Sequence, residues 1–497
     1  MRQLLLGLDI GSSSIKASIV DVGTGRSMAT FQSPPEEMDM LAVKPGWAEQ
    51  DPEMWWKHLV ISVRNCIKKS GARPEEVRAI GISYQMHGLV VVDKNQKALR
   101  PSIIWCDSRA VEIGQKAAER LGENYCLEHF LNAPGNFTAS KLKWVQDHEP
   151  AVFEKIHKIM LPGDYIAMRL SGEIVTTDTG LSEGIFWDFQ KRSVSEKLLT
   201  EYGFDKKLLP HVVPVFGEQG RVNNEAAREL GLTPGVKISY RAGDQPNNAF
   251  SLNVLKPGET AATAGTSGVI YSVTEKNAFD LKSRVNTFIH VNNSDERPSN
   301  GVLLCINGTG ILNSWLRRNT RGGAALDYEQ MNVLAAGVSV GAEGLIILPF
   351  GNGAERILEN RNVNASFYGL DFNRHSQAHI FRAAQEGIVF ALKYGFDVLQ
   401  EMGLKTTIIR AGNANMFLSP VFREAFVNAI GAPLELYNTD GATGAAIGAG
   451  VGAGVFESME AAFKGLKTIR EETPDKELTS RYQAAYAKWK SQLNLIL

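Results

Sequence analysis

Residues 4–16 of the chain read LLLGLDIGSSSIK. The apolar run 4–8 has the length of a buried strand and leads to Asp9, after which Gly11-Ser12-Ser13-Ser14 form a polar bend. Apolar and polar residues then alternate over 15–19, as they do on a strand with one buried face. The stretch therefore predicts a β-hairpin whose bend is rich in glycine and serine.

A related pattern returns in the second half of the chain. The strand-like run 259–264 leads to Gly265-Thr266-Ser267-Gly268, and a second strand-like run covers 269–273. Two such openings, each followed by mixed strand and helix patterns, predict two similar α/β domains. We expect the N-terminal domain to span residues 1–242 and the C-terminal domain to span residues 243–497.

Composition excludes several classes of protein. The 497 residues include 53 Lys and Arg against 54 Asp and Glu, so neither nucleic acid nor a membrane surface is expected as a partner. The four cysteines stand far apart in the chain, which argues against a structural zinc site or a disulfide framework. The apolar start ends at Asp9 and is too short for a signal peptide, so we expect a cytoplasmic protein.

Periodicity predicts several elements of the second half. Three- and four-residue spacing of apolar residues over 381–399 predicts an amphipathic helix. It leads to a strand at 406–409, a glycine loop at 411–415 and a helix over 420–431, an order typical of nucleotide sites. The glycine and alanine residues of 441–454 include few large apolar side chains, so we predict a tightly packed helix and not a membrane span.

Phosphate binding is expected at the two polar bends. The chain contains neither the GxxxxGK[ST] motif of P-loop NTPases nor the HRD and DFG motifs of protein kinases. In the bends 11–14 and 265–268, glycine lets the backbone approach a phosphate, while N–H groups and hydroxyls donate hydrogen bonds. A single bend of this kind is usually only a turn. Two facing bends from two domains would clamp the phosphates of a nucleotide, and the pair therefore favours a functional interpretation.

Two aspartates are candidates for chemistry. Asp9 follows a strand and precedes the first bend, where it could hold Mg²⁺ or simply cap the turn. Asp244 lies at the expected domain boundary, where it could take a proton from an attacking hydroxyl. Its local sequence, taken alone, favours an Asx turn before Pro246.

These segments together resemble the FGGY family of carbohydrate kinases, and within it the xylulokinase group. The resemblance implies the actin-like ATPase (ribonuclease H-like) fold, with a cleft between two α/β domains. It extends over nearly the whole chain and is carried by the following segments: 8–16 and 265–268 as the two phosphate motifs, 243–245 with the catalytic aspartate, and 46–52, 85–88, 105–109, 162–165 and 349–356.

The resemblance also implies roles for individual residues. Asp244 would be the catalytic base, and Asp9 and Asp244 would bind Mg²⁺. The sugar would be bound by Met86, His87, Asp107, Arg109, Asp244 and Gln245, with the group assignment resting mainly on Met86 and His87. ATP would be bound by Ser12, Ser13, Ser14, Lys16, Gly265, Thr266, Ser267, Gly310, Ser314, Gly412 and Asn415.

The favoured function is therefore transfer of the γ-phosphoryl group of ATP to the 5-hydroxyl of a ketopentose, with D-xylulose as the preferred substrate. One alternative is the same chemistry on another ketose or polyol, such as ribulose, fuculose or glycerol. A second alternative is an actin-like ATPase that binds no sugar. The expected partners are a sugar and ATP, and a homodimer is left open.

Overall fold

A computed structural model describes residues 2–320, 326–361 and 363–497. Two mixed β-sheets organise the chain, one from each half. In spatial order the first sheet consists of Phe216–Arg221, Lys237–Gly243, Val77–Tyr84, Leu4–Ile10, Ile15–Asp21 and Arg26–Ser33. The second consists of Asn286–Ile289, Asn300–Asn307, Ser267–Thr274, Glu259–Ala264, Ile408–Gly412, Leu434–Tyr437 and Thr468–Glu472.

The two sheets share one topology. In each, a three-stranded antiparallel meander is continued by two parallel strands and closed by an antiparallel strand at the edge. The second sheet adds one further antiparallel strand, Asn286–Ile289, beside Asn300–Asn307. The predicted pair of similar α/β units is confirmed, and both hairpins lie where the sequence places them.

Helices cover the sheets. They span Pro52–Ser70, Val111–Leu121, Glu123–Phe130, Thr138–His148, Pro150–Phe153, Pro162–Ser171, Asp178–Glu183, Glu196–Tyr202, Asn224–Leu230, Asp244–Ser251, Gly310–Asn319, Tyr328–Ala336, Gln377–Glu401, Pro420–Ile430, Gly441–Gly452, Met459–Ala462 and Lys476–Asn494. Strands of two or three residues pair outside the two sheets: Glu49–Gln50, Val90–Val92, Ser102–Ile103, Lys158–Met160, Val175–Thr176, Trp187–Asp188, Ser193–Val194, His211–Val212, Ile346–Leu348 and Ser366–Tyr368. Within the described ranges, no helix is both long and apolar enough to cross a membrane.

The helix Gly441–Gly452 belongs in sequence to the second half but packs on the first sheet. A Cβ atom on Gly7 would lie 1.8 Å from the Ala442 carbonyl oxygen, and one on Gly81 would lie 1.9 Å from that of Ala445. Only glycine in the strands allows the helix to approach so closely. The prediction of a tightly packed helix is confirmed, and the contact joins the two halves of the chain.

A second helix, Asp244–Ser251, follows the last parallel strand of the first sheet. It packs against the helix Gly441–Gly452. A Cβ on Gly444 would lie 2.4 Å from the Cβ of Ser251, and the Asn247 side-chain amide donates to the Gly441 carbonyl oxygen at 2.9 Å. The two sheets therefore meet through a pair of closely packed helices. The boundary between residues 242 and 243 stays a prediction.

Candidate active site

The carboxyl ends of three parallel strands form the centre of the site. In register, Ile10 lies beside Tyr84 and Tyr84 beside Gly243. Because parallel strands end at the same edge of a sheet, Asp9, the segment 85–88 and Asp244 are brought together there. Residues far apart in the chain thus share one edge.

Asp9 is fixed at this edge by contacts with Ser83 and Gly441. Its Oδ1 accepts a hydrogen bond from the Ser83 hydroxyl at 2.8 Å, and a Cβ on Gly441 would lie 2.5 Å from its Oδ2. Lys16 lies directly opposite Asp9 on the neighbouring strand and pairs with Asp440 at 3.4 Å. Burial raises the pKa of Asp9, while the bond from Ser83 and the charge of Lys16 oppose the rise.

Asp244 has an altered acidity. Burial, and then the nearby charge of Asp9, raise its pKa to about 7, although hydrogen bonds from Gln245 lower it. A carboxyl group with a pKa near neutrality can both accept and release a proton under working conditions. Asp9 and Asp244 would also offer the hard oxygen ligands that Mg²⁺ prefers. No cluster of three or more His, Cys, Asp or Glu suited to a metal occurs in the described part of the chain, so the candidate site rests on these two.

The first bend is tied to its surroundings through its carbonyl groups. The Ser12 carbonyl oxygen accepts from the Gln50 side chain at 2.7 Å, that of Ser13 from the Met38 N–H at 2.8 Å, and that of Ser14 from the Gly11 N–H at 3.1 Å. The Ser13 side chain is exposed and those of Ser12 and Ser14 are partly exposed. The bend is therefore fixed in place while hydroxyl groups remain accessible.

The second bend is fixed by the start of a helix. The Gly265 carbonyl oxygen accepts from the Gly310 N–H at 2.8 Å and from the Thr309 hydroxyl at 2.9 Å. A Cβ on Gly310 would lie 2.4 Å from that oxygen, so glycine is required there. Thr266 is exposed and Ser267 is partly exposed.

The remaining predicted nucleotide residues lie near this bend or on its helix. Gly412 ends the strand parallel to Glu259–Ala264, which leads into the second bend. Asn415 has a positive φ of 54°, and its side-chain nitrogen would lie 3.5 Å from a Cβ on Gly265. Ser314 is partly exposed on the helix Gly310–Asn319. The structure thus brings Gly265 and Asn415 together, and binding of nucleotide by this group stays a prediction.

Both halves of the chain match models of one protein family. The model of the N-terminal domain of the FGGY carbohydrate kinases matches residues 4–251, and the model of the C-terminal domain matches residues 260–453. The chain belongs to the FGGY family of carbohydrate kinases. This FGGY kinase therefore uses ATP to phosphorylate a sugar.

Individual relatives agree with the family. A xylulose kinase of Klebsiella pneumoniae is 30% identical over 470 residues, covering 93% of this chain and 92% of its own. The crystal structure of xylulose kinase from Rhodospirillum rubrum has a TM-score of 0.86 at 25% identity, with 99% of each chain covered. A gluconate kinase from Lactobacillus acidophilus reaches a TM-score of 0.90 at 21% identity, covering 100% of this chain and 98% of its own. The fold is thus shared by kinases named for different sugars.

Met86 and His87 lie at the centre of the edge of this FGGY kinase. Met86 is buried, and a Cβ on Gly243 would lie 2.6 Å from its Cγ. His87 is partly exposed and has a positive φ of 60°, which is uncommon outside glycine. Its ring packs against those of Phe137 and Phe288, with centroids 4.9 and 5.2 Å away. Burial, and then the charge of Lys141, lower the pKa of His87 to about 3, so the ring is neutral.

Asp107 and Arg109 form an ion pair at 2.6 Å. The Arg109 guanidinium also pairs with Glu49 at 2.6 Å and lies 3.8 Å from the ring centroid of Trp47. Asp107 accepts from the Ala48 N–H at 2.6 Å. Both side chains are buried and satisfied by protein, so in this conformation they join two loops beside the site. Direct contact with a sugar stays a prediction.

Two charged residues beside His87 were missed by sequence reasoning. Lys141 is fully buried in the helix Thr138–His148, and Glu183 is the last residue of the helix Asp178–Glu183 and only 1% exposed. A signal for Lys141 exists, because it stands three and four residues before the buried Trp144 and Val145 and therefore on the buried face. The short segment around Glu183 contains no comparable periodicity.

Proposed function

We propose that this FGGY kinase transfers the γ-phosphoryl group of ATP to the 5-hydroxyl of D-xylulose. The observation that carries the proposal is the position of Asp244, with a pKa of about 7, at the same sheet edge as the Met86–His87 segment and the first bend. The names of the similar xylulose kinases support this substrate over other sugars. Location in the cytoplasm and a homodimeric state stay predictions from the sequence.

Proton transfer is assigned to Asp244. As the sugar oxygen bonds to the γ-phosphorus and the bond to the leaving ADP breaks, the hydroxyl proton passes to the Asp244 carboxylate. Asp244 begins the helix Asp244–Ser251, whose N-terminal N–H groups favour the ionised carboxylate that the reaction requires. The group is therefore ready to accept a proton near neutral pH.

Charge on the transferred group is balanced by the two bends. Ser12, Ser13 and Ser14 of the first bend and Thr266 and Ser267 of the second would donate hydrogen bonds to phosphate oxygens. Asp9 and Asp244 would hold Mg²⁺, which when bound with the nucleotide neutralises phosphate charge. Gly412, Asn415, Gly310 and Ser314 would border the nucleoside.

A coupled ADP-release assay over a panel of ketoses and polyols tests the substrate. D-xylulose should raise ATP turnover more than D-ribulose or glycerol, because Met86 and His87 match the xylulokinase pattern. A higher kcat/KM with glycerol, gluconate or a ketohexose would overturn the substrate and leave the family intact. ATP turnover that no sugar raises would favour the actin-like ATPase alternative.

A further inference from the structure

His87 is held at three polar atoms by two buried residues. Its backbone N–H donates to Glu183 Oε1 at 3.4 Å, and its Nδ1 lies 3.0 Å from the Glu183 carbonyl oxygen. Its carbonyl oxygen accepts from Lys141 Nζ at 2.9 Å. The same ammonium group donates to the Ile104 carbonyl oxygen at 3.0 Å. Hydrogen bonds to both its N–H and its carbonyl oxygen therefore fix the left-handed backbone of His87.

This arrangement selects one tautomer of His87. A backbone carbonyl oxygen can only accept, so the proton of the neutral ring stands on Nδ1. The other ring nitrogen, Nε2, then offers a lone pair and no proton. Nε2 has no hydrogen-bond partner among the described residues, whereas the flanking Met86 and Gly88 are buried. The polar atom that His87 can present to a ligand is therefore an acceptor.

The Glu183 carboxyl group extends from His87 towards Asp244. A Cβ on Gly243, the residue before Asp244, would lie 2.6 Å from Glu183 Oε2. Glu183 forms no ion pair with a described residue, and burial raises its pKa well above the usual value. A buried carboxyl group without a cation is costly, and its retention beside a strained histidine indicates a local task.

We propose that Glu183 is a positioning residue that holds His87 in one tautomer and one backbone conformation, so that Nε2 accepts a hydrogen bond from a hydroxyl group of the sugar. The proposal rests on the proposed function, because it takes His87 as part of the sugar site. It adds a rule for the substrate. At the position facing Nε2, a hydroxyl donor is accepted, and a group that can only accept is rejected.

Sugar analogues test the direction of this hydrogen bond. Each hydroxyl of the accepted ketose, other than the one that is phosphorylated, is replaced in turn by hydrogen and by fluorine. At one carbon, both replacements should lower kcat/KM by about 10-fold or more, because neither group donates a hydrogen bond. In a His87→Phe variant the same two replacements should cost no more than about 2-fold. If no fluoro analogue at any carbon shows this loss, or if the losses are unchanged in the variant, the proposal is overturned.

Two substitutions of Glu183 test its role in positioning His87. Glu183→Gln keeps an acceptor for the His87 N–H and should retain a sugar KM within about 3-fold of the wild-type value. Glu183→Leu keeps the volume but no acceptor, and should raise the sugar KM by about 10-fold or more while the ATP KM stays unchanged. Equal changes in both Michaelis constants, or equal effects of the two substitutions, would indicate a merely structural role and contradict the proposal.

The tautomer is measured directly by NMR of the protein labelled with ¹⁵N-histidine. The signals of His87 are identified by their loss in His87→Phe, and Nδ1 should carry the proton in the wild type and in Glu183→Gln. A proton on Nε2 would overturn the proposal. Because this measurement needs no substrate, it separates failure of the proposal from failure of D-xylulose as the substrate.

Discussion

The edges of the two sheets have the same topology and different chemistry. At the edge of the first sheet, Asp9 and Asp244 are drawn together and partly buried, and the pKa of each is raised. At the edge of the second sheet, Thr266 is exposed and Gly265 is fixed by backbone contacts. The difference fits the proposed assignment of proton transfer to the first edge and of phosphate binding to the bends of both edges. Proton transfer needs carboxyl groups removed from water, whereas phosphate binding needs donors that a mobile ligand can reach.

Removing the charge at the first edge should have the largest effect. Asp244→Asn keeps the size and hydrogen bonds of the side chain but cannot accept a proton, so kcat should fall by about 10²–10⁴. Steady-state kinetics, with the melting temperature and sugar binding recorded beside them, check this. Near-normal kcat in the folded variant would favour the Asx-turn interpretation and make Asp9 the next candidate.

A matched control for this substitution is Asp93→Asn. Asp93 caps a turn outside the site by accepting from the N–H groups of Asn95 and Lys97 at 2.8 and 2.9 Å. Because asparagine serves such turns nearly as well, kcat should stay at the wild-type value. A similar fall in both variants would mean that the loss comes from turn geometry.

Removing one hydroxyl at the second edge should have a smaller effect. Thr266→Val keeps the shape of the side chain and should cost about 1.5–3 kcal/mol in nucleotide handling, the value of one hydrogen bond to a charged group. The ATP KM or kcat should change by about 10- to 150-fold, with sugar binding unchanged. Thr200→Val, on the exposed face of the helix Glu196–Tyr202, is the control. Wild-type kinetics for ATP in Thr266→Val would mean that the second bend is only a turn.

The smallest expected effect is a change in how stability depends on pH. Burial lowers the pKa of Lys141 to about 7, although Asp107 and Cys106 oppose the shift and Arg109 adds to it. Between pH 7 and the pKa of an ordinary lysine, about 10.4, the unfolded chain binds more protons at this position than the folded chain. This group therefore makes the protein more stable as pH rises through that window, by at most about 1.4 kcal/mol per pH unit.

Thermal unfolding of Lys141→Met from pH 7 to pH 9 measures this increment. The melting temperature of the wild type should rise relative to that of the variant as pH increases. Lys143→Met, on the same helix but beside Asp147, should follow the wild type. Parallel curves for wild type and Lys141→Met would mean that the buried lysine keeps its charge, and that the first edge is less removed from water than the structure indicates.

The order of the local elements could be predicted from the sequence. The hairpin 4–19, its counterpart at 259–273 and the helix within 381–399 are confirmed, because alternating or helical spacing of apolar residues depends only on near neighbours. The resemblance of ordered motifs then identified the family, which the two domain matches confirm. Because they belong to these motifs, Asp9, His87 and Asp244 could be selected as candidate site residues.

Only the tertiary structure decided what surrounds those candidates. The residues that hold His87 come from two other helices, Thr138–His148 and Asp178–Glu183, and no local spacing places them beside residue 87. The raised pKa of Asp244 likewise depends on Asp9, which lies two strands away in the sheet. Local patterns determine which elements form, because a strand or a helix depends on its own side chains. Burial and charge at the site depend on packing between distant segments, and packing exists only after the chain has folded.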